Sequence, residues 1–111
     1  MKYEIKTIPS FDKEFKALKK KYASIKDDLE NLKNELEANP EAGTKIAEDI
    51  YKIRMAIKSK GKGKSGGARI VYLTLFAQQT DNNEIVLLSI YDKSEHENIT
   101  DKQIRDALKS V

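Results

Sequence analysis

Residues 61–73, GKGKSGGARIVYL, place four glycines, two lysines and a serine directly ahead of an arginine and an apolar run. A structural turn needs one or two glycines and no particular charge. Here Lys62, Lys64 and Arg69 gather positive charge where the backbone is free to wrap around an anion. Farther along, EIVLLSIYDK (84–93) ends in Tyr91 and Lys93. A hairpin of this segment with ARIVYLTLFAQ (68–78), centred near Asp81, sets Arg69 opposite Lys93. Two cations facing each other across a ladder repel, and they persist more readily when an anion bridges them. Tyr91 shares strand parity with Lys93, which adds an aromatic ring. A concave cationic site with a ring in it suits a phosphate and a base that can stack. The same residues also fit an ordinary charged strand end.

Other chemistries find little support. The single histidine, His96, sits in a polar stretch, and no nucleophile motif accompanies it. There is no cysteine, so thiolate metal sites and disulfides are excluded. No paired-ligand spacing suggests a metal, and no cofactor motif is visible. Although GKS occurs at 63–65, Gly-Gly-Ala-Arg and a strand follow it where a nucleotide-binding P-loop needs a helix.

The charge is local. Ile50 to Thr80 holds seven basic residues (Lys52, Arg54, Lys58, Lys60, Lys62, Lys64, Arg69) and no acidic one. The remainder holds 14 basic and 18 acidic residues, although the whole chain is +3. Such a focus points to a polyanion, most often nucleic acid, and equally fits a solvated basic hairpin. The 111 residues suit one domain, 1–111. No run approaches a membrane span and MKYEIKTIPSF lacks a signal-peptide core, so a cytoplasmic protein with no membrane partner is expected.

The elements that must position these groups are legible as periods. Tyr3, Ile5 and Ile8 mark a short strand before Pro9. Phe11, Phe15, Leu18, Tyr22, Ile25, Leu29, Leu32 and Leu36 recur at alternating spacings of four and three, a helical stripe. Ser24 and Asp27 give an N-cap signal in its middle, so the spacing predicts a helical hairpin over 11–22 and 25–38, with a coiled coil as the alternative. Asn39-Pro40 stops the second helix, and EAGTK reads as a linker. From Ile50 the sequence alternates. Tyr51, Ile53, Met55 and Ile57 form one face, and Lys52 and Arg54 point from the other. Two strands joined by a turn at TDNN follow, then a helix from Thr100, whose spacing to Gln103 is that of a capping box. The order β, α, α, β, β, β, α predicts an α+β domain: a helical hairpin packed on one face of an antiparallel sheet, with the basic face open.

IYKIRMAIKSKGKGKSGGARIVYL (50–73) followed by IVLLSIYDKSEHENIT (85–100) resembles the RelE/ParE superfamily of bacterial toxins in its HigB-like branch. KYAS at 21–24 and ANPEAGTKI at 38–46 resemble it too, and the likeness runs the length of the chain. It implies the RelE-like fold and a toxin of a type II toxin–antitoxin pair. Such a toxin is a ribosome-dependent endoribonuclease that cuts mRNA in the A site. The RNA 2′-hydroxyl attacks the adjacent phosphate, leaving a cyclic phosphate and a 5′-hydroxyl, with no metal or cofactor. By position the resemblance implies that Arg69 holds the scissile phosphate and that Lys62 or Lys64 serves as base. It implies that Tyr91 and Lys93 stack, position, stabilise charge or do acid work, and that Lys52, Arg54, Lys58 and Lys60 grip flanking RNA. It also implies a helix-turn-helix antitoxin, the ribosome and mRNA as partners. One departure stands out: RelE itself uses a C-terminal arginine and tyrosine, whereas residues 94–111 here hold no tyrosine and only Arg105. Two rivals remain: a ParE-like gyrase poison, which has no need of the cationic loop, and a non-catalytic nucleic-acid-binding module.

Overall fold

A computed structural model describes residues 3–61, 63–76, 83–95 and 99–111. The elements are β1 (Tyr3–Thr7), α1 (Pro9–Lys21), α2 (Ile25–Ala38), β2 (Thr44–Ala47), β3 (Ile50–Met55), β4 (Ala68–Phe76), β5 (Asn83–Asp92) and α3 (Asp101–Leu108). A short 3-10 turn, Lys58–Lys60, leads into the glycine-rich loop. The sheet order is β1-β5-β4-β3-β2. β1 runs parallel to β5, and the other pairs are antiparallel. The α+β architecture with a helical hairpin on the sheet and a short C-terminal helix is the expected one.

Pro9 opens α1 rather than merely ending β1, because its fixed φ suits the first helical position. The helical stripe folds back on itself at Tyr22, whose backbone is extended. Phe11, Leu18, Ile25, Leu29, Leu32 and Leu36 are then buried with Tyr51, Ile53, Ile70, Tyr72 and Ile90 of the sheet. Burial against the sheet, rather than a coiled-coil partner, satisfies the stripe. Tyr51 and Tyr72 stack at 5.4 Å between ring centroids. The Tyr72 hydroxyl donates to the Pro40 carbonyl (2.8 Å) and accepts from the Gly43 N–H (3.1 Å), tying the exit of α2 to the sheet.

The structure corrects two expectations. The linker ends in a fourth hairpin strand: Thr44–Ala47 pairs with β3 as an edge, turning through Asp49 at φ 61°. All four of its residues are exposed, so there was no buried alternation to read. The register of β4 with β5 also differs. Arg69 pairs with Tyr91, not Lys93, and a bulge falls between Val71 and Tyr72. The TDNN turn lies largely outside the described residues, with only Asn83 of it placed, at the start of β5.

Candidate nucleic-acid interface

The basic face is built from ladder rows. One row runs Arg54, Arg69, Tyr91 across β3, β4 and β5; the next runs Thr44, Lys52, Val71, Ser89. Side chains two apart on a strand share a face, so Lys52, Arg54 and Arg69 stand together, opposite the helix-covered Tyr51, Ile53 and Met55. A cleft of about 460 Å³ opens there, and its lining includes Lys52, Arg54, Lys64, Arg69 and Lys93, with Thr44 and Ile46 at the β2 edge. Five of the eight cations singled out from the sequence thus converge on one cavity. Lys62 and His96 lie outside the described residues.

Arg69 is the most constrained of the five, at 6% exposure. Its guanidinium donates to the carbonyls of Lys64 (3.0 Å), Ala68 (3.1 Å) and Ser65 (3.2 Å). It therefore folds the glycine-rich loop around itself as well as contributing charge to the cleft. Burial, and then the Arg54 guanidinium beside it, lower its pKa from the ordinary arginine value. The repelling pair across the ladder is Arg54 with Arg69, and it faces the cleft where an anion would relieve it. Arg54, Lys64 and Lys93 are exposed, and Lys52 is half-buried.

The loop needs its glycines at specific points. Gly61 and Gly63 take φ of 70° and 65°, the left-handed region. At Gly67 a Cβ would come within 2.1 Å of the Met55 carbonyl oxygen, so no side chain fits while β4 pairs with β3. The Lys93 N–H donates to the Gly67 carbonyl (3.1 Å), which joins the end of the loop to the end of β5.

Three sequence-predicted site residues stand elsewhere. Tyr91 is 6% exposed, and it lines a second cavity of about 290 Å³, with Glu14 of α1 and Ile99 and Gln103 at α3. The basic face is thus not fully open, because α3 covers its β5 end. Burial pushes the Tyr91 hydroxyl pKa up, offset in part by Arg69 and the Ile99 backbone. The phenol is neutral at pH 7, and its ring presents no open face to a base in this conformation. Lys60 turns away from the cleft altogether. Its side chain is 9% exposed, and its ammonium pairs with Asp92 (2.9 Å). Lys58 is exposed and lines a small cavity of about 140 Å³ with Asp28, Arg54 and Lys64.

Sequence reasoning missed the acidic partners on the covered side of the sheet. Asp92 sits in the Met55, Ala68, Asp92 row and has no exposed side-chain surface. It accepts from Lys60, Tyr22, and the Ser94 N–H and hydroxyl. Burial pushes its carboxyl pKa up, but those hydrogen bonds outweigh burial and hold it far below the usual carboxylate range. Asp28, 3% exposed, accepts from the Lys58 N–H (3.1 Å) and the Ser24 hydroxyl (2.8 Å). An aspartate closing an apolar strand, as in LLSIYD, was the available signal: a carboxylate there must find partners or leave the core.

The fold and the cationic cleft define a class: a small α+β domain that presents an arginine- and lysine-lined sheet face. The architecture is that of bacterial toxin RelE: the chain superposes on an arginine-to-alanine double variant of E. coli toxin RelE in the free state. The TM-score is 0.63 and the sequence identity 18%, over 100% of this chain and 99% of that one. No protein-family model matches the sequence.

Proposed function

We propose that this chain is a RelE-superfamily toxin of the HigB-like branch. Its activity is that of a ribosome-dependent endoribonuclease that cleaves mRNA in the A site. The observation that carries this reading is the convergence of Lys52, Arg54, Lys64, Arg69 and Lys93 on one cleft of a RelE-like sheet. In the reaction the RNA 2′-oxygen attacks the adjacent phosphorus and the P–O5′ bond breaks. The 2′-proton passes to a base and the departing 5′-oxygen takes a proton. The phosphorane gathers negative charge, and fixed cations around it stabilise the transition state more than the ground state. Arg54, Lys64 and Lys93 contact phosphate directly. Arg69 supplies charge from beneath and holds the loop that carries Lys64. By resemblance, Lys62 or Lys64 is the base that takes the 2′-proton. Tyr91, neutral and backed by Arg69, is a proton donor once α3 gives access to it. The partners are the ribosome, mRNA and a helix-turn-helix antitoxin that masks the basic face, and the compartment is the cytoplasm.

The test is to map mRNA 5′ ends after brief induction in a bacterial host. New 5′-hydroxyl ends in frame within translated codons are expected. Growth arrest without new ends overturns the reading in favour of a protein target such as gyrase. Neither arrest nor new ends leaves a non-catalytic binding module.

A further inference from the structure

The glycine-rich loop starts from a 3-10 turn that is held with unusual thoroughness for three exposed-looking residues, Lys58, Ser59 and Lys60. Each is fixed by a different group. The Lys58 N–H donates to Asp28 Oδ2 (3.1 Å). The Ser59 N–H donates to Ser24 Oγ (2.8 Å), and that hydroxyl donates to the same Asp28 oxygen (2.8 Å). The Lys60 ammonium donates to Asp92 Oδ1 (2.9 Å) and lies 5.4 Å from the centroid of the Tyr22 ring, whose own hydroxyl donates to Asp92 Oδ2. Lys21 completes the surround, 4.0 Å from Asp92 and paired with Glu95. Both carboxylates are almost wholly buried.

Burying a charge pair stabilises little in itself, and an apolar replacement often does as well. What a buried, hydrogen-bonded pair supplies is a single geometry. We propose that Asp28 and Asp92 are positioning residues. Through Ser24 and Lys60 they clamp the root of the glycine-rich loop, and so set where Lys64 and Lys93 stand over the cleft. Asp92 immediately precedes Lys93, so this residue stands where both ends of the loop are tied. Its side chain anchors the loop's start, while the next residue's N–H binds the loop's last carbonyl at Gly67. Arg69 grips the carbonyls between, at Lys64 and Ser65. A loop with four glycines is otherwise free to wander, and a displacement of about 1 Å at a catalytic group costs on the order of 100-fold in rate. Lys60 is therefore a latch and not a grip on RNA. That the clamp serves RNA cleavage rests on the proposed function; that it orders the loop does not.

The experiment uses the full chain and three readouts: amide hydrogen exchange across 58–67, the salt dependence of RNA binding, and single-turnover RNA cleavage on ribosomes. Variants are Lys60→Met, Lys60→Arg, Asp92→Asn and Asp28→Asn. Lys60→Met, Asp92→Asn and Asp28→Asn are expected to raise loop exchange by roughly ten-fold while the β4 amides at 70–73 stay protected. Cleavage falls by on the order of 10- to 100-fold, and Lys60→Arg recovers loop protection. In Lys60→Met the slope of log affinity against log salt stays at the wild-type value. A slope that drops by about 0.7, the share of one phosphate contact on a single strand, with loop exchange unchanged, makes Lys60 an RNA grip and overturns the proposal. Equal loss of protection in 58–67 and 70–73 makes the carboxylates general core supports and also overturns it. If the unaltered chain cuts no RNA, the functional reading falls, and loop exchange alone still judges the clamp.

Discussion

Arg69 carries two jobs at one position, and that changes what its removal means. Its guanidinium is the donor for three loop carbonyls and also half of a like-charged pair facing the cleft. Arg69→Ala strands those acceptors, at about 1–3 kcal/mol for a buried unsatisfied group, so lost activity would mix folding with chemistry. Arg54 separates the two. It is exposed and lines the cleft. Arg54→Gln is expected to leave thermal stability within about 0.5 kcal/mol. It should weaken binding to single-stranded RNA and reduce the salt slope by about 0.7. Calorimetry and binding titrations at several salt concentrations check both halves. The sequence pointed to Arg69 and Arg54 through residue type and strand parity. It could not show that Arg69 faces Tyr91, because the bulge at Val71/Tyr72 and the exact turn decide that register. Nor could it show that Tyr91 is covered, since parity gives a face but not what lies on it.

At the scale of elements, local signals were read well where a segment owns its pattern and poorly where a neighbour supplies it. The helical hairpin announced itself by its apolar period, and α3 by its capping box. The Thr100 side chain accepts from the Gln103 N–H (3.1 Å), and the Gln103 side chain accepts from the Thr100 N–H (2.9 Å). The edge strand β2 and the parallel pairing of β1 with β5 carry no such signature, because both are fixed by what they dock against. Ser24 occupies the N-cap position of α2 as its type suggests, yet its hydroxyl serves Asp28 and Ser59 instead of the helix. The Tyr22, Lys60, Asp92 cluster joins the end of α1, the loop root and the end of β5, and its charge state should appear in the acid limb of stability. Asp92 has its folded pKa held below the unfolded value of about 3.9. Its contribution is therefore complete above that value and is lost as pH falls below about 4 toward the lower folded pKa. Asp92→Asn should flatten the part of the Tm-against-pH curve below about pH 4 that this group supplies. Thermal melts from pH 7 downward decide it: parallel curves for the two proteins would mean the carboxylate is not held in its charged form.

At the scale of the whole molecule, the sorting of charge suits a +3 protein to directed binding of a polyanion. The surplus sits on β3, the loop and β4, while the rest of the chain is net acidic. A diffuse surplus of this size gives weak, orientation-free attraction; a focused one gives a docking direction. Arg54, Lys64 and Lys93 are exposed in the cleft and Lys52 is half-buried there. If all four meet phosphates, each releases about 0.7 of a counterion on single-stranded RNA, which sets a slope near −3 for log affinity against log salt. Raising salt from 50 to 200 mM should then weaken binding by roughly 50- to 60-fold. Measured with a short single-stranded RNA that contains no cut site, this number speaks to the face itself, independent of any ribosome. A slope near −3 that falls stepwise as Arg54, Lys64 and Lys93 are neutralised ties the polyanion to the cleft. A slope of the same size that ignores those three positions moves the binding to the lysines along α1. A slope near zero leaves the cationic face without a nucleic-acid partner, and a protein target then explains the fold better than RNA does.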